Sequence, residues 1–313
     1  MTRTVTLARP LPVPEIEIGG EAVEFLPVAA PGEVPDRAEV HCTTSLDPLP
    51  AEAIAALPGR VGLIANIGVG VDNIDLAAAA ARGIAVSNTP VVTEDTADLA
   101  FALILAACRR IGQAERFLRG GQWAASGTAP PLGGRVHGRT LGLVGFGAIA
   151  QAVARRARGF DMEVLYWNRT RRPEAEATTG AAYQPDLDAL MGQCDILSVH
   201  TALRPQTRDL IDADRLDKVR RGAVLVNTAR GGIVDEAALV AALEDGRLAA
   251  AGLDVFAAEP EVDPGLLGRD DVVLTPHIGS ATDACRADMA RRLLANVTSF
   301  LEHGRVIDPV QPG

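Results

Sequence analysis

The chain has only four cysteines, Cys42, Cys108, Cys194 and Cys285, and no two are near neighbours. That spacing excludes a CxxC redox pair and the usual zinc-binding patterns. Reduced, partly buried thiols are expected instead. The five histidines are equally scattered, so no protein metal site is expected. Basic residues are in deficit, 30 against 40 acidic ones, for a formal net charge of −10. A general nucleic-acid binder needs a basic face, which this balance argues against, although a local basic cluster could still hold one phosphate. Long apolar runs are missing too. The longest, residues 99–108, falls well short of the ~18 needed to cross a bilayer, so no membrane association is expected. Residues 1–20 carry prolines and glutamates where a signal peptide would be continuously apolar, which makes a cytoplasmic location the expectation.

Aromatic residues make up only 4% of the chain, while alanine and glycine abound. Small side chains suit close packing of helices on a sheet. The hydrophobic share of 48% and the charged share of 22% are those of an ordinary globular protein. At ~150 residues per domain, 313 residues suggest two domains or one large one. Strand-like runs at 61–66, 84–87, 141–144, 163–167, 196–200, 223–227 and 272–274 are mostly separated by helical stretches, one of them through 77–81. This alternation predicts a parallel sheet covered by helices on both faces. A long helix is expected over 94–110, capped by Thr93 and stopped at Gly112. Its interior is apolar nearly all round, so burial between layers or subunits is expected. Residues 120–139, rich in Gly, Pro and Ser, read as a loop.

One segment carries a specific phosphate signal. Residues 141–150 form a strand running into G-x-G-x-x-A: Gly145, Phe146, Gly147, Ala148, Ile149, Ala150. Gly145 permits the tight turn, Gly147 lets backbone approach a pyrophosphate, and Ala150 keeps the following helix close to the strand. The helix N-terminus then offers free N–H groups and partial positive charge. A dinucleotide cofactor is therefore expected. The next strand, 163–167, is where an NAD site usually ends in a carboxylate; here the chain reads Asn168-Arg169-Thr170-Arg171-Arg172. Arginines suit a 2′-phosphate, so NADP(H) is the expected preference, with NAD(H) possible.

Three further segments follow strand-like runs: Asn227-Thr228-Ala229-Arg230, Gly252-Leu253-Asp254 leading to Glu259-Pro260, and Thr275-Pro276-His277. Each belongs at the carboxyl edge of the sheet, where open α/β folds bind ligands. Together with Asn66-Ile67-Gly68-Val69-Gly70-Val71-Asp72, Gly83 to Pro90 and the Gly145 turn, they occur in an order that resembles the D-isomer-specific 2-hydroxyacid dehydrogenases over most of the chain. The Asn168-Arg169 pair looks most like the glyoxylate and hydroxypyruvate reductases.

The resemblance implies two Rossmann-like, doubly wound parallel-sheet domains with a cleft between them. Residues 1–93 and 283–313 would form a discontinuous substrate-binding domain, and 94–282 the dinucleotide-binding domain. It implies that Arg230 binds the carboxylate and carbonyl oxygen of a 2-oxo acid, that His277 donates a proton to that oxygen, and that Glu259 orients the imidazole. Backbone N–H groups around Val69 and Gly70 would hold the substrate carboxylate. Thr96, Thr201, Asn227 and Thr228 would line the cofactor site, and Asp254 would anchor the carboxamide. His200 is expected to be structural. A homodimer is implied, with the long helix and the 120–139 loop in its interface. Ala148 departs from the polar residue that relatives often have there, so phosphate binding would rest more on backbone. The end of the chain at Gly313 disfavours the longer phosphoglycerate dehydrogenase forms, and Glu259 disfavours formate dehydrogenase, where a glutamine is expected. The activity implied is NADPH-dependent reduction of glyoxylate or hydroxypyruvate. The alternatives are a dehydrogenase for a bulkier 2-oxo acid and a non-catalytic dinucleotide sensor.

Overall fold

The computed structural model describes residues 2–10, 15–127, 129 and 132–311. The chain divides into two compact units, 1–92 with 280–313, and 93–279. Each contains an α/β parallel sheet.

The first unit holds a six-stranded sheet of β1 (Arg3–Leu7), β2 (Glu17–Ile18), β3 (Glu21–Pro27), β4 (Ala38–Thr44), β5 (Leu63–Ile67) and β6 (Ala85–Ser87), in the order β2-β3-β1-β4-β5-β6. Only β2 runs antiparallel to its neighbour. The first four strands have no counterpart among the expected ones. Their sequences mix apolar residues with Thr4, Thr6, His41 and Thr43, all buried, so they do not read as the continuous apolar runs of a covered parallel sheet. The helix Asp283–His303 closes one face. Its Leu293, Val297 and Leu301 join Val5, Val40 and Leu63 in one core cluster. Thr282 caps this helix by accepting the Cys285 N–H.

The second unit holds seven parallel strands: β7 (Thr140–Val144), β8 (Glu163–Trp167), β9 (Ala182–Tyr183), β10 (Ile196–Val199), β11 (Ala223–Asn227), β12 (Leu248–Leu253) and β13 (Val272–Leu274). Their order is β13-β12-β11-β10-β7-β8-β9. The chain winds outward from β7 through β9, then returns to the other side of β7 with β10. The topological switch point thus lies between β7 and β10. The helices Thr93–Cys108 and Ala148–Arg158 share the core of one face, through Ala100, Ile104, Ala150 and Ala154 among others. Across their surface Glu94 and Asp98 take Arg156, and Glu94 also takes Arg155.

Two expectations need correction here. The long helix ends at Cys108, and Arg110 turns the chain with a left-handed φ of 53°. Gly112 does not stop it; that glycine lies inside the next helix, Ile111–Arg119. The 120–139 segment is also not loop throughout, since Gln122–Ser126 is helical. No helix among the described residues is long and apolar enough to cross a membrane. All four cysteines are free and buried.

Candidate active site

Every strand of the second unit is parallel, so the segments that follow β7, β8, β10, β11, β12 and β13 all emerge at one edge of one sheet. The Gly145 turn, Asn168, Thr201, Arg230, Asp254 and His277 all lie on those segments.

Gly145 sits at the switch point with φ 98°. A Cβ there would fall 2.8 Å from the His200 carbonyl group and 2.9 Å from the Thr201 amide, so β7 and β10 leave room only for glycine. Gly147 caps the helix Ala148–Arg158 without any side-chain hydrogen bond, and a Cβ at Gly147 would meet nothing within 4 Å. The helix N-terminus therefore opens onto clear space with its first N–H groups uncapped, which suits an anion. Phe146 is buried and stacks on Tyr166 with ring centroids 3.8 Å apart, so its side chain faces the core and only its backbone belongs to the turn. Ile149 likewise packs against the core.

The segment after β8 is organised around Tyr166. Its hydroxyl donates to Glu176 at 2.6 Å and accepts the Arg172 N–H at 2.8 Å. Arg171 pairs with both oxygens of the same glutamate. That guanidinium, then the Tyr166 hydroxyl, hold the Glu176 carboxyl at about 2. One of the three arginines is thus occupied. Arg169 is exposed, and neither its side chain nor that of Arg172 has a partner among the described residues. Asn168 donates to the Thr170 carbonyl at 2.7 Å, which shapes the turn that presents Arg169.

The residues present fit a dinucleotide. The Thr201 and Thr228 hydroxyls are both buried at this edge of the sheet without a partner among the described residues. Buried polar atoms normally find one, so these hydroxyls call for a ligand's polar groups. Asn227 is committed to the local turn: it donates to the Arg230 carbonyl and accepts the Ala229 N–H.

Asp254, buried at the end of β12, organises the next segment. Its carboxylate accepts from the Thr275 hydroxyl at 2.6 Å and from the Ile278 and Gly279 amides at 2.8 and 2.9 Å. Its carbonyl accepts the His277 N–H at 2.8 Å. These bonds hold His277 at a φ of 52°, a left-handed conformation costly to most residues though less so to His. Burial raises the Asp254 pKa despite the donors around it. Three of its roughly four acceptor positions are used, so its main visible task is shaping the 275–279 loop. Thr96 packs beside the same loop: a Cβ at Gly279 would lie 3.3 Å from both the Asp254 carboxylate and the Thr96 methyl group.

His277 Nδ1 lies 2.8 Å from Glu259 Oε2. Glu259 Oε1 accepts the Phe256 N–H at 2.8 Å. Burial works to raise the Glu259 pKa, but His277, the Phe256 amide and Arg230 outweigh it and hold the carboxyl below its usual range. The Glu259–Pro260 peptide bond is cis. Arg230 donates from Nη1 to the Ala229 carbonyl at 2.8 Å, and Glu259 feels its charge. A Cβ at Gly231 would lie 1.9 Å from the Phe256 carbonyl carbon, so the turn after β11 rests directly on the backbone of 256–257. The sequence motif contained this glycine, but a packing contact of this kind leaves no periodic signal. His200 is half-buried, with Nε2 2.9 Å from the Ser198 hydroxyl, and desolvation depresses its pKa to about 4.

In the first unit the Val69–Gly70 segment is fixed by its carbonyls. Asn66 donates to the Gly70 carbonyl at 2.8 Å and Asn88 to that of Val69 at 2.9 Å. The Val69 and Gly70 N–H groups donate to nothing among the described residues. Successive unpaired amides of this kind form an anion-binding nest.

A Rossmann-type cofactor edge that also carries an Arg and a Glu–His pair defines an NAD(P)-dependent oxidoreductase. Comparison with known proteins agrees. The family model described as "D-isomer specific 2-hydroxyacid dehydrogenase, NAD binding domain" matches residues 101–279. A glyoxylate reductase of Thermococcus litoralis is 47% identical over 246 residues, covering 77% of this chain and 74% of that protein. The crystal structure of a glyoxylate reductase from "Paecilomyes thermophila" superposes with a TM-score of 0.89 at 35% identity, covering 99% of this chain and 98% of the other. That of an NADPH-dependent glyoxylate/hydroxypyruvate reductase from Sinorhizobium meliloti, in complex with NADP and malonate, gives 0.87 at 34% identity, covering 98% and 96%. The chain belongs to the D-isomer-specific 2-hydroxyacid dehydrogenase family.

Proposed function

We propose that the protein reduces a small 2-oxo acid, glyoxylate or hydroxypyruvate, with NADPH, giving the D-hydroxy acid where the product is chiral. The observation that carries this reading is the His277–Glu259 pair, with the Arg230 charge near enough for Glu259 to feel it. The relatives described above are named for these substrates and support the choice.

The bound nicotinamide supplies the hydride that adds to C2. Arg230 binds the substrate carboxylate and carbonyl oxygen, and its fixed charge opposes the negative charge that grows on that oxygen. Glu259 occupies Nδ1 of His277, which leaves Nε2 as the nitrogen that delivers the proton. Glu259, its carboxyl held below the usual range, fixes the orientation of the ring through Nδ1. The Val69 and Gly70 amides supply a carboxylate nest. The uncapped helix N-terminus at Gly147 takes the pyrophosphate, and Thr201 and Thr228 bond the cofactor along the same edge. Arg169, with Thr170 beside it, takes the 2′-phosphate. Asp254 serves His277 more than it serves the carboxamide.

A homodimer is part of the proposal. Ile111, Leu118 and Trp123 are large, exposed and apolar on the two helices that follow the long one, and a second copy would cover them. Light scattering at micromolar concentration should give twice the chain mass; a monomer alone overturns it.

The activity test is NADPH oxidation followed by absorbance with glyoxylate, hydroxypyruvate, pyruvate and a bulky 2-oxo acid, repeated with NADH. Fast turnover of the two small acids with NADPH is expected. Turnover of the bulky acid alone would overturn the substrate, and tight NADPH binding without turnover of any acid would return a sensing role.

A further inference from the structure

The turn that carries Glu259 is held by a second carboxylate. The Phe256 N–H donates to Glu259 itself, while the adjacent Ala257 N–H donates to Glu236 Oε1 at 2.7 Å. Glu236 opens the helix Glu236–Glu244, which is capped by Asp235 and anchored in the core through Leu239, Ala242 and Leu243. Through Glu236, therefore, a core-packed helix grips the turn one peptide away from the bond Glu259 makes to its own loop. Gly231 packs against the backbone of the same two residues.

We infer that Glu236 is a positioning residue for the proton-donating pair: its carboxylate fixes the 256–257 peptide from which Glu259 reaches His277. This rests on the reading of His277 as proton donor. The charged groups facing the turn are Glu259 and Asp263 from its own loop, Arg230 from the segment after β11, and His277 from the segment after β13. Burial raises the Glu236 pKa; the Ala257 amide opposes this, and Asp263 and Glu259 add to it. Glu236 and Glu259 are thus close enough to feel each other's charge.

Two substitutions separate position from charge. Glu236→Gln keeps an oxygen for the Ala257 N–H and removes the charge. Glu236→Ala removes both. For Glu236→Ala, kcat in the reducing direction should fall about tenfold with KM for NADPH unchanged, since a small misplacement of a reacting group is costly in rate. For Glu236→Gln, which keeps an acceptor for the Ala257 N–H, kcat should stay within about twofold of wild type. Thermal unfolding and NADPH binding are measured alongside. A wild-type kcat in Glu236→Ala overturns the assignment, as does a loss of activity that merely tracks the loss of folded protein. His277→Gln runs as the control. If it keeps wild-type turnover, the proton-donor reading itself fails and this inference with it, whatever the Glu236 variants do.

Discussion

Replacing Gly231 with alanine is the sharpest test of how this site is assembled. The added Cβ would fall 1.9 Å from the Phe256 carbonyl carbon, 2.2 Å from its oxygen and 2.3 Å from the Ala257 nitrogen. All three are backbone atoms, so no side chain can swing aside. Reaching an ordinary contact needs the two segments to part by about 1.5 Å, a form of overpacking that costs roughly 1–3 kcal/mol of stability. The displaced segment carries Glu259, whose two oxygens hold Phe256 N–H and His277 Nδ1 at 2.8 Å each. A shift of that size breaks one bond or both and carries Arg230 away from the pair. Misplacement on the 1 Å scale can cost about 100-fold in rate. The cofactor turn at Gly145–Ala150 lies on other strands and should keep its NADPH affinity. The variant is assayed by NADPH oxidation, NADPH binding by fluorescence, and thermal unfolding. A kcat within twofold of wild type, in protein that is folded and binds NADPH, would refute the view that the Gly231 contact sets the geometry of the pair.

His277→Gln should lower turnover by about 10²-fold or more while NADPH binding persists, which single-turnover kinetics and a binding titration would check. Arg169→Ala should lower kcat/KM for NADPH much more than for NADH, whereas Arg171→Ala should change the ratio less, because Arg171 is engaged with Glu176; kinetics with both cofactors decide it. Acid stability should depend on Asp308. Burial works to raise its pKa, but Arg292 and Asn296 outweigh it and hold the carboxyl below its usual range. A carboxyl depressed in the folded state contributes stability above its unfolded pKa and loses it as pH falls through the folded one. Asp308→Asn should therefore destabilise the protein at neutral pH and flatten the decline of its melting temperature between about pH 5 and pH 2; an unchanged slope would count against it.

Much of the second unit could be read from its residues, because its strands are apolar on both faces. The strands 163–167, 223–227 and 272–274 run over the residues expected. The first unit was harder, since Thr4, Thr6, His41 and Thr43 are buried polar residues that break up the apolar runs, and Thr6 and His41 find partners on a neighbouring strand. Thr6, for instance, donates to the Val40 carbonyl and lies 3.0 Å from His41 Nδ1. The break after the long helix was misplaced because a non-glycine residue, Arg110, takes the left-handed conformation. At the site, the order of the motifs and the resemblance they carry pointed to Arg230, Glu259 and His277. It gave no hint that Phe146 would turn inward, that Asp254 would shape the His277 loop, or that Glu236 and Gly231 would clamp the same turn. Those facts come from contacts between segments about 20 residues or more apart, to which local periodicity is blind.

The discontinuity of the first unit has a consequence for synthesis. Its sheet is made early, but the helix that covers Val5, Val40 and Leu63 is encoded after the whole of the second unit. While the chain emerges from the ribosome, the second unit can complete its core before the first can. The N-terminal strands must wait with one apolar face uncovered, a state prone to aggregation and to chaperone capture. Damage confined to residues 283–303 would accordingly be felt first at the opposite end of the sequence, in the strands that begin at Arg3.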